Sequence, residues 1–330
     1  PFGFYRDPKS FARELASKAY QYYRVGWHEG VRQMVFRGQP IDTPDNTQLI
    51  FDFNELRCSS YNLTPEKMEI YRQKAWQYKP EFLKCYPSSG YIFARYLSES
   101  HKPFPKLKGV LCASENLYEF QKKFLHKVFR CRIFSHYGHY ELSALAGFCE
   151  EADTYHVMPF YGYTELIDRN GLPITKVGET GEIVATSFLM KATPFIRYRT
   201  RDFATLKGTM CSFCGRPYQI WDRIEGRLQE FIVTKKGRYI SMTAMNMHTS
   251  VFDNIKQFQY FQDKKGYVEF RYIPKNEITR YQLKAIKRDL LMKLGGDVSL
   301  SLRRVQSIAL TGRGKFRFLD QKLKLEYGDS

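Results

Sequence analysis

Up to about residue 147 the chain alternates between runs with helical spacing and short apolar runs, and this alternation is its strongest constraint. Phe11, Leu15, Ala19 and Tyr22 recur at three- and four-residue steps, which predicts a helix over 10–24 with one apolar stripe. In Asn62-Leu63-Thr64-Pro65-Glu66 the Thr64 hydroxyl can accept from an orphan amide and Pro65 suits a first turn, so a second helix runs to about Tyr78, ahead of Pro80. Ser88 and Ser89 open a third through Tyr91, Phe93, Tyr96 and Leu97. The runs 108–112 and 131–134 read as short buried strands on either side of a helix over 117–129. Strands separated by helices of this length imply βαβ units and a mostly parallel sheet, hence an α/β fold.

Beyond Gly147 the texture becomes β-rich over 155–167, 181–188 and 196–206, with turns at 168–171 and 178–181. Asn170-Gly171 is a hairpin signal. A third texture follows Arg227: strands near 231–233 and within 257–272, a helix over 279–294, a strand over 298–305 and a basic stretch from Thr311 to Phe318. These shifts divide the chain into a large domain, 1–228, with an α/β part to about 147 and a β-rich part beyond it, and a small α+β domain, 229–330.

Composition narrows the classes. With 43% hydrophobic and 16% aromatic residues the chain can build a core, which excludes a disordered protein. No apolar run reaches the ~18–20 residues of a membrane helix, and the opening Pro1-Phe2-Gly3-Phe4-Tyr5 has no secretion-signal pattern. Seven scattered cysteines do not make a disulfide scaffold, so a reducing, cytoplasmic setting is expected. The net charge is +18, yet basic and acidic residues are interspersed. That pattern suits a soluble surface, with peripheral contact to an anionic membrane left open, better than a nucleic-acid partner.

Four segments can carry chemistry. Ser135-His136-Tyr137-Gly138-His139-Tyr140-Glu141 follows a predicted strand, where α/β proteins place ligands. Tyr137 offers a flat face to a base and Glu141 a hard oxygen to Mg²⁺; an ordinary aromatic turn is the alternative. In Tyr198-Arg199-Thr200-Arg201-Asp202 the carboxylate can accept from both hydroxyls of a ribose, or simply pair with a neighbouring arginine. In Ile224-Glu225-Gly226-Arg227-Leu228-Gln229-Glu230, at the domain boundary, Arg227 can meet a ribose or phosphate and the stretch after it can hinge. Finally, Thr311-Gly312-Arg313-Gly314-Lys315 presents an ammonium between glycines, without the spacing of a Walker loop.

The order of these segments resembles the adenylate-forming enzymes: Tyr137-Gly138 and Glu141, then Gly178-Glu179 and Gly181-Glu182, then Tyr198-Arg199-Thr200 and Asp202, then Gly226-Arg227, then Gly314-Lys315. Within that superfamily the chain is most similar to the phenylacetate–CoA ligase and CapK-type branch, which is associated with capsular polysaccharide biosynthesis. Cys85-Tyr86-Pro87-Ser88-Ser89, Ser114-Glu115-Asn116-Leu117 and Cys214-Gly215-Arg216 support that placement. The resemblance implies the adenylate-forming fold with a small mobile C-terminal domain. It also implies a two-step ligase: a carboxylate attacks the α-phosphate of ATP, giving an acyl-adenylate and pyrophosphate, and the acyl group passes to CoA, another thiol, or an amine or hydroxyl of a glycan precursor. By the same resemblance Glu141 holds Mg²⁺, and Tyr137 with Gly138 and the Ser114-Glu115-Asn116 turn frames the adenine of ATP or AMP. Asp202 clamps the ribose, Arg227 contacts ribose or phosphate, Gln229 and Glu230 form the hinge, and Lys315 stabilises charge at the α-phosphate.

Some positions depart from the family. Tyr140 replaces a small hydroxyl residue before the motif glutamate, Arg201 replaces a glycine before Asp202, and Glu230 stands where aspartate is commoner. The family's phosphate loop would precede Pro1-Phe2, so the chain corresponds to the carboxyl-terminal two-thirds of such an enzyme. These departures leave a second reading, a nucleotide-binding member with impaired turnover. Cys211-Ser212-Phe213-Cys214 is half of a tetrahedral zinc set; in the implied fold Cys149 and His156 lie on a neighbouring segment and can complete a structural Zn²⁺ site. Buried thiols beside a surface histidine are the alternative.

Overall fold

The computed structural model describes residues 3–39, 41–60, 63–242, 245, 250–310 and 316–325. The chain divides into two compact units, one of residues 1–117 and 121–224, the other of 118–120 and 225–330.

The first unit opens with α1 (Pro8–Tyr23), capped by Asp7, whose carboxylate accepts the Ser10 N–H at 2.8 Å. Next come β1 (Gln33–Arg37), β2 (Thr47–Ile50), β3 (Glu55–Ser59), α2 (Pro65–Tyr78), β4 (Phe82–Cys85), α3 (Pro87–Ser100), β5 (Gly109–Ala113), α4 (Glu119–Phe129) and β6 (Arg132–Gly138). From there the chain is all strand: β7 (Leu145–Phe148), β8 (Tyr155–Val157), β9 (Gly162–Ile167), β10 (Thr180–Ser187), β11 (Tyr198–Gly208) and β12 (Ile220–Arg227), within which the second unit begins. The expected α/β and β-rich textures belong to one twelve-stranded sheet, in the order β2-β3-β1-β4-β5-β6-β7-β8-β12-β11-β10-β9. Strands β3, β1, β4, β5 and β6 pair in parallel, and β7 turns antiparallel on β6.

Alternation along the strands sorts side chains between two layers. Leu83, Val110, Cys112 and Ile133 face Met68, Tyr71, Phe93, Leu97 and Leu125 of α2, α3 and α4. Phe82, Leu111 and Phe134 point the other way, onto Tyr22 of α1. The expected apolar stripe of α1 is only partly core: Ala19 and Tyr22 are buried, while Phe11 and Leu15 are exposed. At Gly181 a side chain has no room, because a Cβ would sit 2.7 Å from the Ile167 carbonyl.

The second unit contains β13 (Phe231–Val233), β14 (Tyr239–Ser241), β15 (Ile255–Lys264), β16 (Tyr267–Pro274), α5 (Arg280–Leu294), β17 (Ser299–Arg304) and β18 (Leu319–Gln321). Its four-stranded sheet, β17-β16-β15-β18, buries Tyr260, Val268, Phe270 and Leu300 together with Ile286, Leu290 and Leu294 of α5. Thr279 and Gln282 close a capping box at the start of α5.

Candidate functional site

Strands β5 and β6 run in parallel with Ala113 opposite His136, so both leave the sheet at the same end. Ser114 turns the chain there at φ 66°, in the left-handed region. Glu115 then folds back: its carboxylate accepts the Ser88 N–H and the Ser88 hydroxyl, each at 3.0 Å. Tyr86, the N-cap of α3, gives no side-chain acceptor, and Glu115 fills that place at the positive end of the helix. The Ser114-Glu115-Asn116 turn is thereby fixed beside the end of β6.

Tyr137, near the end of β6, donates its hydroxyl to Asp202 on β11 at 2.8 Å. Asp202 is 7% exposed, and its own N–H donates to the Thr200 hydroxyl at 3.0 Å. Trp221 on β12 backs the Tyr137 ring, with centroids 5.8 Å apart. The flanking arginines face other carboxylates: Arg199 donates to buried Glu182 at 2.9 and 2.5 Å, and Arg197 to Glu165 at 3.1 and 3.2 Å. Arg201 occupies φ 59°, where glycine is at ease, and its N–H is caught by Glu182 at 3.1 Å. A non-glycine residue is held there by the Glu182 carboxylate from the neighbouring strand.

Glu141 is held at both oxygens. Tyr198 donates to Oε1 at 3.0 Å and the His139 ring nitrogen Nδ1 lies 3.0 Å from Oε2, while Ser143 is 3.2 Å from the other ring nitrogen. The His139 hydrogen bond, acting against burial, brings the Glu141 carboxyl down to about 2, so it is ionised at every working pH. An ionised, oriented and partly exposed carboxylate is a hard oxygen donor with lone pairs to spare, which fits a magnesium ion. Tyr140 is 70% exposed and stacks with the Arg6 guanidinium, 4.9 Å from its ring centroid, so its hydroxyl does not replace a small one beside Glu141.

The remaining residues expected to contact nucleotide or form the hinge belong to the second unit. Arg227 is exposed at the end of β12, after Gly226 at φ 96°. Gln229 and Glu230 lie in the 3₁₀ turn Leu228–Glu230 that follows. Lys315, with Gly312 and Gly314, lies outside the described residues.

The four sulfur and nitrogen candidates converge. The Cys149, Cys211 and Cys214 sulfurs and a His156 ring nitrogen all lie within 4.8 Å of one another. Cys149 follows β7, His156 is in β8, and the two other cysteines lie in the β11–β12 link, where Gly215 at φ 72° turns the chain. Cys211 is 3.8 Å from Cys149, and Cys214 is 3.8 Å from His156 Nε2. Burial and the neighbouring Arg24 keep His156 down at about 4, hence neutral. Glu150 pairs with both Arg24 and Arg216 beside the cluster.

His139 and Tyr198, which orient Glu141, were not readable as functional. Their signal was position alone, two residues before the glutamate and at the head of the Asp202 strand. Arg24 and Glu150 gave no signal, and Arg216 only as part of the Cys214-Gly215-Arg216 stretch, because the sheet brings them together from far apart in sequence.

Residues 232–322 match the CapK C-terminal domain. Protein CapK of Staphylococcus aureus is 22% identical over 97% of this chain and 72% of its own length. The crystal structure of 2-hydroxyisobutyryl-CoA ligase in the postadenylation state, in complex with an acyl-AMP, superposes with a TM-score of 0.75 at 16% identity, over 97% of this chain and 71% of that one. The amide bond synthetase McbA from Marinactinospora thermotolerans gives 0.62 at 14% identity, over 96% and 65%. The anthranilate CoA ligase AuaEII, in complex with anthranoyl-AMP, gives 0.61 at 15% identity, over 89% and 60%. The fold is that of the adenylate-forming ligases.

Proposed function

Taking as premise that the chain is a CapK-type member of the adenylate-forming superfamily, we propose that it activates a carboxylate with ATP as an acyl-adenylate and passes the acyl group to an acceptor. The acceptor classes are a CoA-like thiol and an amine or hydroxyl of a glycan precursor. The observation that carries this reading is the buried Asp202–Tyr137 pair beside the ionised Glu141. In this reading the Asp202 carboxylate accepts from the two hydroxyls of a ribose, and charge-assisted bonds of that kind contribute about 1.5–3 kcal/mol each. Tyr137, steadied by Trp221, presents a ring to adenine, and the Ser114-Glu115-Asn116 turn bounds the same strand end.

Glu141 is the residue that would hold Mg²⁺, which when bound neutralises phosphate charge. His139 and Tyr198 keep its carboxylate ionised and aimed. In this reading Gln229 and Glu230 form the hinge, Arg227 meets ribose or phosphate, and Lys315 supplies a fixed cation where charge develops on the α-phosphate. Any metal at the Cys/His cluster is structural, and the seven free thiols suit a reducing compartment.

Pyrophosphate exchange into ATP across a panel of carboxylates tests the chemistry. Exchange with at least one acid, abolished in Lys315→Ala while AMP binding persists, is the expected result. Exchange that survives in Lys315→Ala removes that residue from the mechanism. The solvent-facing Tyr140 favours a second reading, a nucleotide-binding member without turnover, for which AMP binds and no carboxylate supports exchange.

A further inference from the structure

We propose that Cys149, His156, Cys211 and Cys214 bind one Zn²⁺ in a closed structural site that fastens the β11–β12 link to β7 and β8. The spacing is that of a tetrahedral ion: sulfur ligands at ~2.3 Å from zinc must lie roughly 3.8 Å from each other. Cys211 and Cys149 stand 3.8 Å apart, and no pair of the four ligand atoms exceeds 4.8 Å. Three thiols and an imidazole form a soft donor set that selects zinc over magnesium or calcium. Four protein ligands leave no position for water or substrate, so the ion is structural rather than catalytic.

The surroundings match a bound, charged centre better than a plain thiol core. Zinc with three thiolates and a neutral imidazole carries one net negative charge, and the three thiol protons leave to solvent on binding. Arg216 and Arg24, whose side chain is largely buried, bring cations to that charge, and Glu150 holds both. The Glu151 N–H donates to the Cys149 sulfur at 3.3 Å. Nε2 of His156 faces Cys214 and is the ligating nitrogen. The ring proton then sits on Nδ1, so zinc binding replaces the bond that Nδ1 now accepts from Arg24 at 2.9 Å.

The link also needs such a fastening. Between Gly208 at the end of β11 and Ile220 at the start of β12, Met210 and Phe213 face solvent. The small core under the link is Cys149, Cys211 and Ile220, with Ala152, Cys214 and Tyr218 packed against it. Asp202 and Trp221 lie on the two strands that the link joins.

The test is metal content and cobalt substitution on the full chain, independent of any activity. Protein purified from zinc-supplemented medium without chelator is expected to carry ~1 zinc per chain, and Co²⁺ exchanged into it is expected to give the visible bands of a tetrahedral thiolate site. Cys214→Ser, at the most exposed ligand, is expected to lose at least nine-tenths of the zinc, whereas Cys214→His retains it with a shifted cobalt spectrum. A parent chain that takes up neither zinc nor cobalt overturns the proposal, as does a Cys149–Cys211 disulfide in mass analysis. Retention of full zinc by a folded Cys214→Ser overturns it too; if that variant fails to fold, the parent's metal content and cobalt bands still decide.

Discussion

A single carboxylate shows how residue-scale chemistry prepares the proposed site. Glu141 lies below its ordinary range because His139 donates to the charged form, and the result is a fixed anion of the kind the proposed Mg²⁺ site calls for. The sign of its contribution to stability follows. A carboxyl whose native pKa is about 2 and whose unfolded value is near 4.5 stabilises the fold above pH 4.5, and that contribution disappears as pH falls toward 2. The parent is therefore expected to lose more stability than Glu141→Gln between about pH 5.5 and about pH 3.5, read as urea midpoints. Equal losses in the two proteins would show that His139 does not hold the carboxylate as described. Glu141 and Asp202 were readable as candidates in the sequence because each stands in a spaced motif. Their partners were not, since a hydrogen bond from Tyr137 to Asp202 spans 65 positions and only the sheet creates it.

At the scale of elements, the helix boundaries were legible where local chemistry sets them. Thr64 caps α2 ahead of Pro65, and Thr279 caps α5, both as their side chains require. Strands β1 and β3 left no periodic signal, because strands buried on both faces do not alternate in polarity, and β2 is a four-residue edge strand too short to show a period. The merging of the two textures into one sheet was likewise hidden, for it depends on β7 reversing on β6 at Ala146 opposite Tyr137. The cap of α3 is the most revealing case. Glu115 was expected beside a nucleotide, and the structure places its carboxylate on the Ser88 amide and hydroxyl. Glu115→Ala should cost about 1 kcal/mol of stability, the usual loss for an N-cap, in urea unfolding. A loss near zero would leave the helix start uncapped by Glu115 and return that residue to the ligand site alone.

Across the whole molecule, three textures of sequence become two compact units, and the motifs proposed to bind nucleotide are divided between them. Tyr137, Glu141 and Asp202 belong to the first, Arg227, Gln229 and Glu230 to the second. The adenylate-forming fold was legible because its motifs keep their order along most of the chain. The substrate was not, since a fold hosts many chemistries and pocket residues carry no fixed pattern. The most direct measurement is calorimetric titration of AMP and Mg-ATP into the parent chain and into Asp202→Ala. Saturable binding to the parent, weakened by about a hundredfold or more in the variant through loss of two charge-assisted bonds, is the predicted result. Equal affinity in the two proteins would contradict the assignment of Asp202 as the ribose clamp, and with it the nucleotide site built around Tyr137.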